Sequence, residues 1–384
     1  MTIFKRTFHP VGQGAFFTEQ FYDDDIENLS YNVVYDCGSK SIDIKKQMEH
    51  SINNVLYDRK QIDALFLSHF DDDHVNYVNY LKEKGYLQNT RIFIPMLAEE
   101  EWLGIEPFAT NYHLILSLHE QEIGGTKVIR VNFDDGDGGN RIPENRYEAR
   151  MIEDIEEDTI PSGTVLSPGF KRPDIIWCYT PFNVNFKMLI SDFKDKLSNV
   201  GLDYNKLTDK DYVLEHQKKL KEIYKKLGPK PSGGTAINLN SLLVMSYPKD
   251  PCDCIRIRHD FFMRRCYHWR CYYGDCYGGS CLYTGDTSAK EPMVWNRIER
   301  MINQCLGNRV RLGLLQVPHH GSRHSYDQKL VESDRYCVGF TNFDPYFRQH
   351  IFDDNLVMKF ALNNKPLVLV TQEYGSKYEE YWEI

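Results

Sequence analysis

No stretch of this chain approaches the ~18 consecutive apolar residues that a membrane-spanning helix requires. Its first residues, MTIFKRTFHPVGQG, contain no apolar segment of the leader-peptide kind. These two absences predict a soluble, cytoplasmic protein with no membrane partner. A positive charge excess is also missing: 46 Lys and Arg face 55 Asp and Glu, for a net charge of −9. Broad, non-specific attraction to a polyanion needs a basic field, so it is disfavoured, although a local basic patch is not. Neither an internal repeat nor a low-complexity tract is present. Ten cysteines are present, and in a reducing cytosol they point to metal or burial rather than disulfides.

What is present suits a globular protein. The 384 residues suffice for one large domain with insertions, or for two domains. Hydrophobic residues at 41% and charged residues at 26% lie far from the disorder signature. With 25 Tyr and 21 Phe, a sizeable aromatic core is expected.

Local patterning predicts strands over residues 3–18, broken by the turn Val11-Gly12-Gln13-Gly14, and over Tyr31–Gly38. A helix is expected over about 42–56, then a buried-type strand Ile62–Leu67, a helix from His74 to Lys84, and a strand at Ile92–Pro95. This β-β-β-α-β-α-β order suits a layered α/β architecture. The middle reads differently. Residues 134–140 form a polar turn cluster, 148–158 an acidic helical stretch, and 186–228 alternate apolar and charged positions at helical spacing. Strand character returns at Leu239–Met245, Cys281–Thr284, Leu312–Val317 and Pro366–Thr371, with a helix expected over about 289–305. The domain expectation is a core of residues 1–99 and 233–345, an inserted, largely helical subdomain at 100–232, and a C-terminal extension at 346–384.

Three strand ends finish in metal-ligand residue types: Ser68-His69-Phe70-Asp71-Asp72-Asp73-His74, Thr284-Gly285-Asp286, and Pro318-His319-His320-Gly321-Ser322. Loops at the ends of buried strands hold ligands to the tolerance a metal requires. Imidazoles and carboxylates at this density suit Zn²⁺, Mn²⁺ or Fe, and two ions sharing a carboxylate make a clamp for hydrolysis. One acidic run alone could be a solvated helix start with acidic caps. An apolar strand before it, and two more strand-end sites far away in sequence, favour the metal.

SHFDDDH resembles the S-H-x-D-x-D-H variant of the metallo-β-lactamase signature, with Asp71 in place of the usual second histidine. VGQG at 11–14, DCG at 36–38, NSLLV at 240–244, YTGD at 283–286 and PHHGS at 318–322 follow in the order of the ComEC/Rec2-like branch, named for the hydrolase domain of bacterial DNA-uptake channels. The likeness covers about 1–99 and 234–345. It implies a four-layer αββα fold, here with a helical insertion and a Cys-rich hairpin insertion. It further implies that His69 and Asp71 hold one divalent metal and that Asp73 and His74 hold another. Asp286 would bridge them, and His319, in preference to His320, would complete the second site. Asp36, Asn240 and Ser322 would lie just behind the ligands. Many relatives carry a histidine shortly before the position of Ser241, where this chain has Asn238-Leu239-Asn240. The loss of that nitrogen favours Mn²⁺ or Mg²⁺ as much as Zn²⁺ and leaves one or two ions open.

A Cys-rich stretch separates the strands near 245 and 281. Cys252, Cys254, Cys266, Cys271, Cys276 and Cys281, with His259 and His268 among them, could hold a structural Zn²⁺ or stay as reduced thiols. Arg264, Arg265, Trp269 and Arg270 interleave cations with rings, as a single-stranded nucleic-acid surface does, or else form a hairpin with one packed and one solvated face. The functional expectation is a metal-dependent phosphodiesterase, a nuclease acting on DNA, in which a metal-activated water attacks phosphorus. Asp73 would orient the water, His319 or His320 would protonate the leaving oxygen, and Ser322 and His324 would contact phosphate. The phosphodiester part comes from the resemblance. Three other expectations stand beside it. They are a small-molecule phosphodiester or phosphorylcholine esterase, a non-enzymatic interaction module, and an effector against foreign DNA controlled by a partner bound to 100–232.

Overall fold

The computed structural model describes residues 2–23, 29–96, 124–132, 149–169, 177–183, 188–208, 210–224, 241–249, 255–259, 276–290, 292–308, 310–347 and 352–384. Cys252, Cys254, Cys266, Cys271, Arg264, Arg265, Trp269, Arg270, His268, Asn240 and the 134–140 cluster lie outside them. Cys276 is described as strand backbone only.

The N-terminal half begins β1 (Thr2–Phe8), β2 (Gly14–Asp23), β3 (Leu29–Ser39), α1 (Lys45–Val55), β4 (Ala64–Phe66), α2 (Asp72–Val75), α3 (Val78–Glu83) and β5 (Arg91–Pro95). It continues through β6 (Lys127–Val131), β7 (Arg150–Met151), β8 (Thr159–Ile160), β9 (Leu166–Ser167), β10 (Trp177–Asn183), α4 (Met188–Asn199) and α5 (Lys210–Tyr224). The C-terminal half has β11 (Leu242–Pro248), β12 (Ile255–His259), β13 (Cys276–Tyr283), α6 (Pro292–Leu306), β14 (Arg311–Gln316) and α7 (Gln328–Glu332). It closes with β15 (Tyr336–Asn342), α8 (Asn355–Leu362), β16 (Leu367–Val370) and β17 (Tyr378–Glu383).

Among the described residues seventeen strands form two sheets, ordered β12-β17-β1-β2-β3-β4-β5-β6-β8 and β16-β15-β14-β13-β11-β10-β9-β7. They pack face to face over a shared aromatic core that includes Phe4, Phe8, Phe17, Phe21, Trp177 and Phe340. A second apolar cluster joins the outer face of the first sheet to α1, α3, α4 and α5 through Met48, Ile52, Leu81, Leu197 and Leu220. A third joins the second sheet to α6, α7 and α8 through Trp295, Ile298, Leu330 and Phe360. The result is the expected αββα layering, and no described helix is long and apolar enough to cross a membrane.

Side chains alternate between the two faces of a strand, and this period of two explains an unusual feature of the core. β1 sends Phe4, Arg6 and Phe8 inward, β2 sends Phe17, Glu19 and Phe21, and β17 sends Tyr378, Glu380 and Trp382. The register sets Arg6 opposite both Glu19 and Glu380. Arg6 Nε donates to Glu19 Oε1 at 2.7 Å, Nη1 donates to Glu380, and Nη2 reaches the Gly279 carbonyl at 2.7 Å. Arg6 is wholly buried, and Glu19 and Glu380 are each 2% exposed, so the charge pairs sit between sheets. Ionised groups this deep are tolerated only when paired and hydrogen-bonded.

The structure differs from the expected boundaries in the middle of the chain. Residues 124–183 supply β6 and β8 to the first sheet and β7, β9 and β10 to the second, so much of 100–232 is scaffold. The acidic stretch 148–158 is β7 followed by a short 3-10 turn, not a helix. Helices occur at 188–199 and 210–224, where helical spacing predicted them. The C-terminal extension is also scaffold: β16 pairs with β15, and β17 pairs with β1.

Candidate metal centre

Three loops at strand ends meet at the C-terminal edge of the parallel strands. The loop after β4 carries Ser68, His69 and Asp71, and α2 presents Asp73 and His74. The loop after β13 carries Asp286, and the turn after β14 carries His319 and His320. Backbone hydrogen bonds tie these loops together. Leu242 N donates to Ser68 O at 2.7 Å, and His319 N donates to Gly285 O at 3.1 Å. Gln316 Oε1 accepts from Thr284 N and Gly285 N at 2.8 and 3.1 Å, which fixes the start of the Asp286 loop. A Cβ on Gly38 would meet the backbone of Asp73 and His74 at 2.5 Å, so only glycine lets the end of β3 lie this close to α2.

Asp286 is the hub. Its Oδ1 lies 3.1 Å from His74 Nε2 and 3.6 Å from His320 Nε2. Its Oδ2 lies 3.8 Å from His69 Nε2 and 3.6 Å from His319 Nε2. Asp73 Oδ2 is 3.3 Å from His320 Nε2, and Asp71 Oδ2 is 3.9 Å from His69 Nε2. One carboxylate therefore faces two groups of ligand atoms, and Asp73, His74, Asp286 and His320 offer ligand atoms all within 4.8 Å of one another.

The two adjacent histidines divide differently from the expectation. His320, rather than His319, stands with Asp73 and His74, while His319 turns to the His69 side. Both residues adopt left-handed backbone, with φ of 51° and 55°, so successive side chains leave the turn in directions the sequence does not encode.

Each imidazole is anchored through Nδ1. His74 Nδ1 donates to Asp36 Oδ2 at 2.8 Å, His320 Nδ1 to the Asn342 carbonyl at 3.0 Å, and His319 Nδ1 pairs with Ser325 Oγ at 2.7 Å. The Ser68 hydroxyl donates its one hydrogen to Asp36 Oδ2, so at 2.9 Å it accepts from His69 Nδ1. Asp36 thus holds both the Ser68 hydroxyl and His74 Nδ1. With Nδ1 protonated, neutral His69 presents a bare Nε2 lone pair, which is how ligating histidines are oriented. His69 Nε2, His74 Nε2, His320 Nε2 and Asp286 Oδ1 are buried and lack hydrogen-bond partners. Buried ring nitrogens and carboxylate oxygens converging on one space fit a divalent metal ion.

Electrostatics without a metal support this fit. Burial pushes His69 down to about 3, helped by the charge on His74. For His74 burial acts the other way and is overcome: Asp286 and Asp36 hold it well above the usual histidine range. Burial would also raise Asp73, but His320, His74 and Lys40 hold it below the carboxylate range. Asp71 is raised to about 6 by burial and by Asp73. A raised histidine contributes stability that is complete below its unfolded value near 6.5 and is lost as pH rises through its folded value. A metal takes the place of the His74 proton, so binding releases protons and tightens with pH. Calorimetric titration with Mn²⁺ at about pH 6 and about pH 8 should show tighter binding at the higher pH. Equal affinity at both would mean that no ligand is protonated at the start.

Three contacts were not foreseen. Lys40 Nζ holds Asp73 Oδ1 at 2.6 Å, and its position just past Asp36-Cys37-Gly38 was the one available hint. Asn342 and Ser325, which orient His320 and His319, carry no sequence signal. Ser322 is buried, and its Oγ lies 3.3 Å from His324 N. Among the described residues Cys37, Cys178, Cys281, Cys305 and Cys337 take part in no disulfide.

The metallo-β-lactamase superfamily model matches residues 26–92. No curated protein matches the chain in sequence. Among solved structures, the chain is similar to the metallo-β-lactamase fold protein YhfI from Bacillus subtilis, at 10% identity and a TM-score of 0.42, covering 98% of this chain and 99% of that one. It is also similar to unliganded yeast PDE1, at 10% identity and a TM-score of 0.47, covering 99% and 100%. Residues 26–92 match the metallo-β-lactamase superfamily model, the two-sheet αββα layering of the described residues is consistent with that fold, and the chain carries a candidate divalent-metal site.

Proposed function

We propose that the chain is a divalent-metal-dependent phosphodiesterase that cleaves DNA with water. The observation that carries the hydrolase reading is the convergence of orphaned imidazole and carboxylate atoms on Asp286, each imidazole locked through Nδ1. The phosphodiester part rests on the ordered motifs that resemble the ComEC/Rec2-like branch.

In this reading Asp73, His74, Asp286 and His320 would hold a divalent ion, and His69, Asp71 and His319 lie beside them as further candidate ligands. A bound divalent ion supplies charge neutralisation for the phosphate and acidifies water. Water adds to phosphorus as the ester P–O bond breaks, and the leaving oxygen departs with the bonding pair and takes up a proton from solvent. The expected water-orienting residue was Asp73, yet its two oxygens face Lys40 and His320 and its side chain is 8% exposed. Asp71, with its side chain 31% exposed, is the more open carboxylate, and we assign it the proton that the water loses. Lys40, 36% exposed at its side chain, offers positive charge to a phosphate oxygen at the mouth.

The test is degradation of single- and double-stranded DNA by the purified protein with Mn²⁺, Mg²⁺ or Zn²⁺, beside His69→Ala and Asp73→Ala. Cleavage that disappears in both variants is expected. Hydrolysis of bis(p-nitrophenyl) phosphate without DNA cleavage would replace the nuclease by a small-phosphodiester esterase. Bound metal with neither activity would overturn the phosphodiesterase reading.

A further inference from the structure

The turn that carries His319 and His320 is strained. His319, His320 and Gly321 all have left-handed backbone, with φ of 51°, 55° and 74°. Glycine adopts this conformation freely, whereas a residue with a Cβ does so only at a steric cost. Two such residues in succession persist only if their surroundings hold them. Within the turn, Ser322 N donates to His319 O at 2.9 Å and Ser325 N donates to Ser322 O at 2.9 Å.

Beside the bonds of His319 N to the Gly285 carbonyl and of His320 Nδ1 to the Asn342 carbonyl, a further grip comes from the C-terminal extension, which the family resemblance does not cover. Asp353 N donates to Gly321 O at 3.0 Å, and Ser322 and Phe352 form an isolated antiparallel bridge. A Cβ on Gly321 would meet Leu356 and Phe352 side chains at 2.9 Å, so this segment lies directly against the turn. At the far end of the loop, Tyr326 OH donates to Asp353 Oδ2 at 2.5 Å. Lys359 Nζ reaches both atoms, at 3.0 Å from Tyr326 OH and 3.1 Å from Asp353 Oδ2. Tyr326 is 3% and Asp353 8% exposed, and α8 is anchored beneath them by Leu356 and Phe360. The loop is held at its turn by the Asp353 backbone and at its end by the Asp353 side chain.

We propose that the Tyr326–Asp353–Lys359 triad is a positioning device that holds the His319–His320 turn in its strained conformation and thereby sets the metal affinity of the site. The inference rests on the reading that these histidines face a metal. None of the three triad residues supplies a ligand atom to the cluster. They act by keeping the turn wound before an ion arrives. If the wound turn becomes a one-in-ten conformer, apparent affinity falls about tenfold with no ligand altered. Tyr326→Phe removes one hydroxyl and leaves the buried ring in place, which makes it the cleanest probe.

Two measurements on the full-length protein separate the possibilities. The first is amide hydrogen exchange of the metal-free protein at residues 319–322, for the parent, Tyr326→Phe, Asp353→Asn and Lys359→Arg. The second is competitive titration of each with Mn²⁺ and Zn²⁺ against a chelator. Faster exchange confined to this turn and about tenfold weaker metal binding in Tyr326→Phe and Asp353→Asn are expected, with Lys359→Arg near the parent. Unchanged exchange in the turn overturns the triad's role even if the parent binds no metal, an outcome that would separately remove the metal reading. Faster exchange with unchanged metal affinity leaves the triad as plain structural support and overturns the proposal. Uniformly faster exchange across the whole chain does the same.

Discussion

Asp286→Asn is expected to leave the protein folded while removing its metal and its activity together. The side chain faces four imidazoles, with Oδ1 toward His74 and His320 and Oδ2 toward His69 and His319. The amide keeps the shape, yet it replaces one oxygen by a donor and deletes the negative charge that would offset a divalent ion. Losing the metal contribution of several kcal/mol corresponds to at least about a thousandfold in rate. Elemental analysis of the purified variant, alongside phosphodiester hydrolysis, provides the check. Full metal content with full activity would show that Asp286 does not hold the ion. The substitution should also lower the pKa of His74 in the metal-free protein, because it removes the larger of the two carboxylate influences that hold it up. The stability lost as pH rises past that value in the parent should then be lost at lower pH in the variant.

Glu19→Ala should have the largest effect on stability. Glu19 Oε1 accepts from Arg6 Nε and Tyr283 OH, both at 2.7 Å, and Oε2 accepts from Tyr179 OH and Ser246 Oγ, both at 2.6 Å. Truncation leaves four buried donors without that partner, one of them a guanidinium between the sheets. Breaking a buried ion pair by deleting one member costs about 3–5 kcal/mol. Against a total stability of about 5–15 kcal/mol, that is a large fraction of what keeps the chain folded. The urea unfolding midpoint of the metal-free protein measures it directly. A midpoint equal to the parent's would mean that Glu380 alone satisfies Arg6. Because Arg6 also binds Glu380 on β17, the network fastens the last strand to the first, and the variant should expose the C-terminal strand to protease earlier than the parent.

Several features were legible from residue order alone because their causes are local. The apolar run Ile62–Leu67 ends at His69 since a short buried strand and its following loop are encoded within ten or so residues. The spacing of His69, Asp71, Asp73 and His74, the Gly285-Asp286 turn and the paired histidines after β14 could be read in the same way, and the structure brings all of these loops together. A layered α/β architecture followed from the β-β-β-α-β-α-β opening, and its four-layer form from the family resemblance.

What remained was decided by contacts between distant parts of the chain. β7, β8 and β9 are two residues long each, too short for any periodicity to register, and they exist because a neighbouring strand supplies their hydrogen bonds. The division of His319 from His320 was settled by two left-handed backbone angles that only the surrounding structure can enforce. Lys40 meets Asp73, and Arg6 meets Glu380, because sheet register and loop packing bring them together across 33 and 374 positions. A sequence records which groups can bear charge or bind metal. Which of them face one another is set by long-range backbone pairing and by the burial that makes an unpaired charge too costly to leave alone.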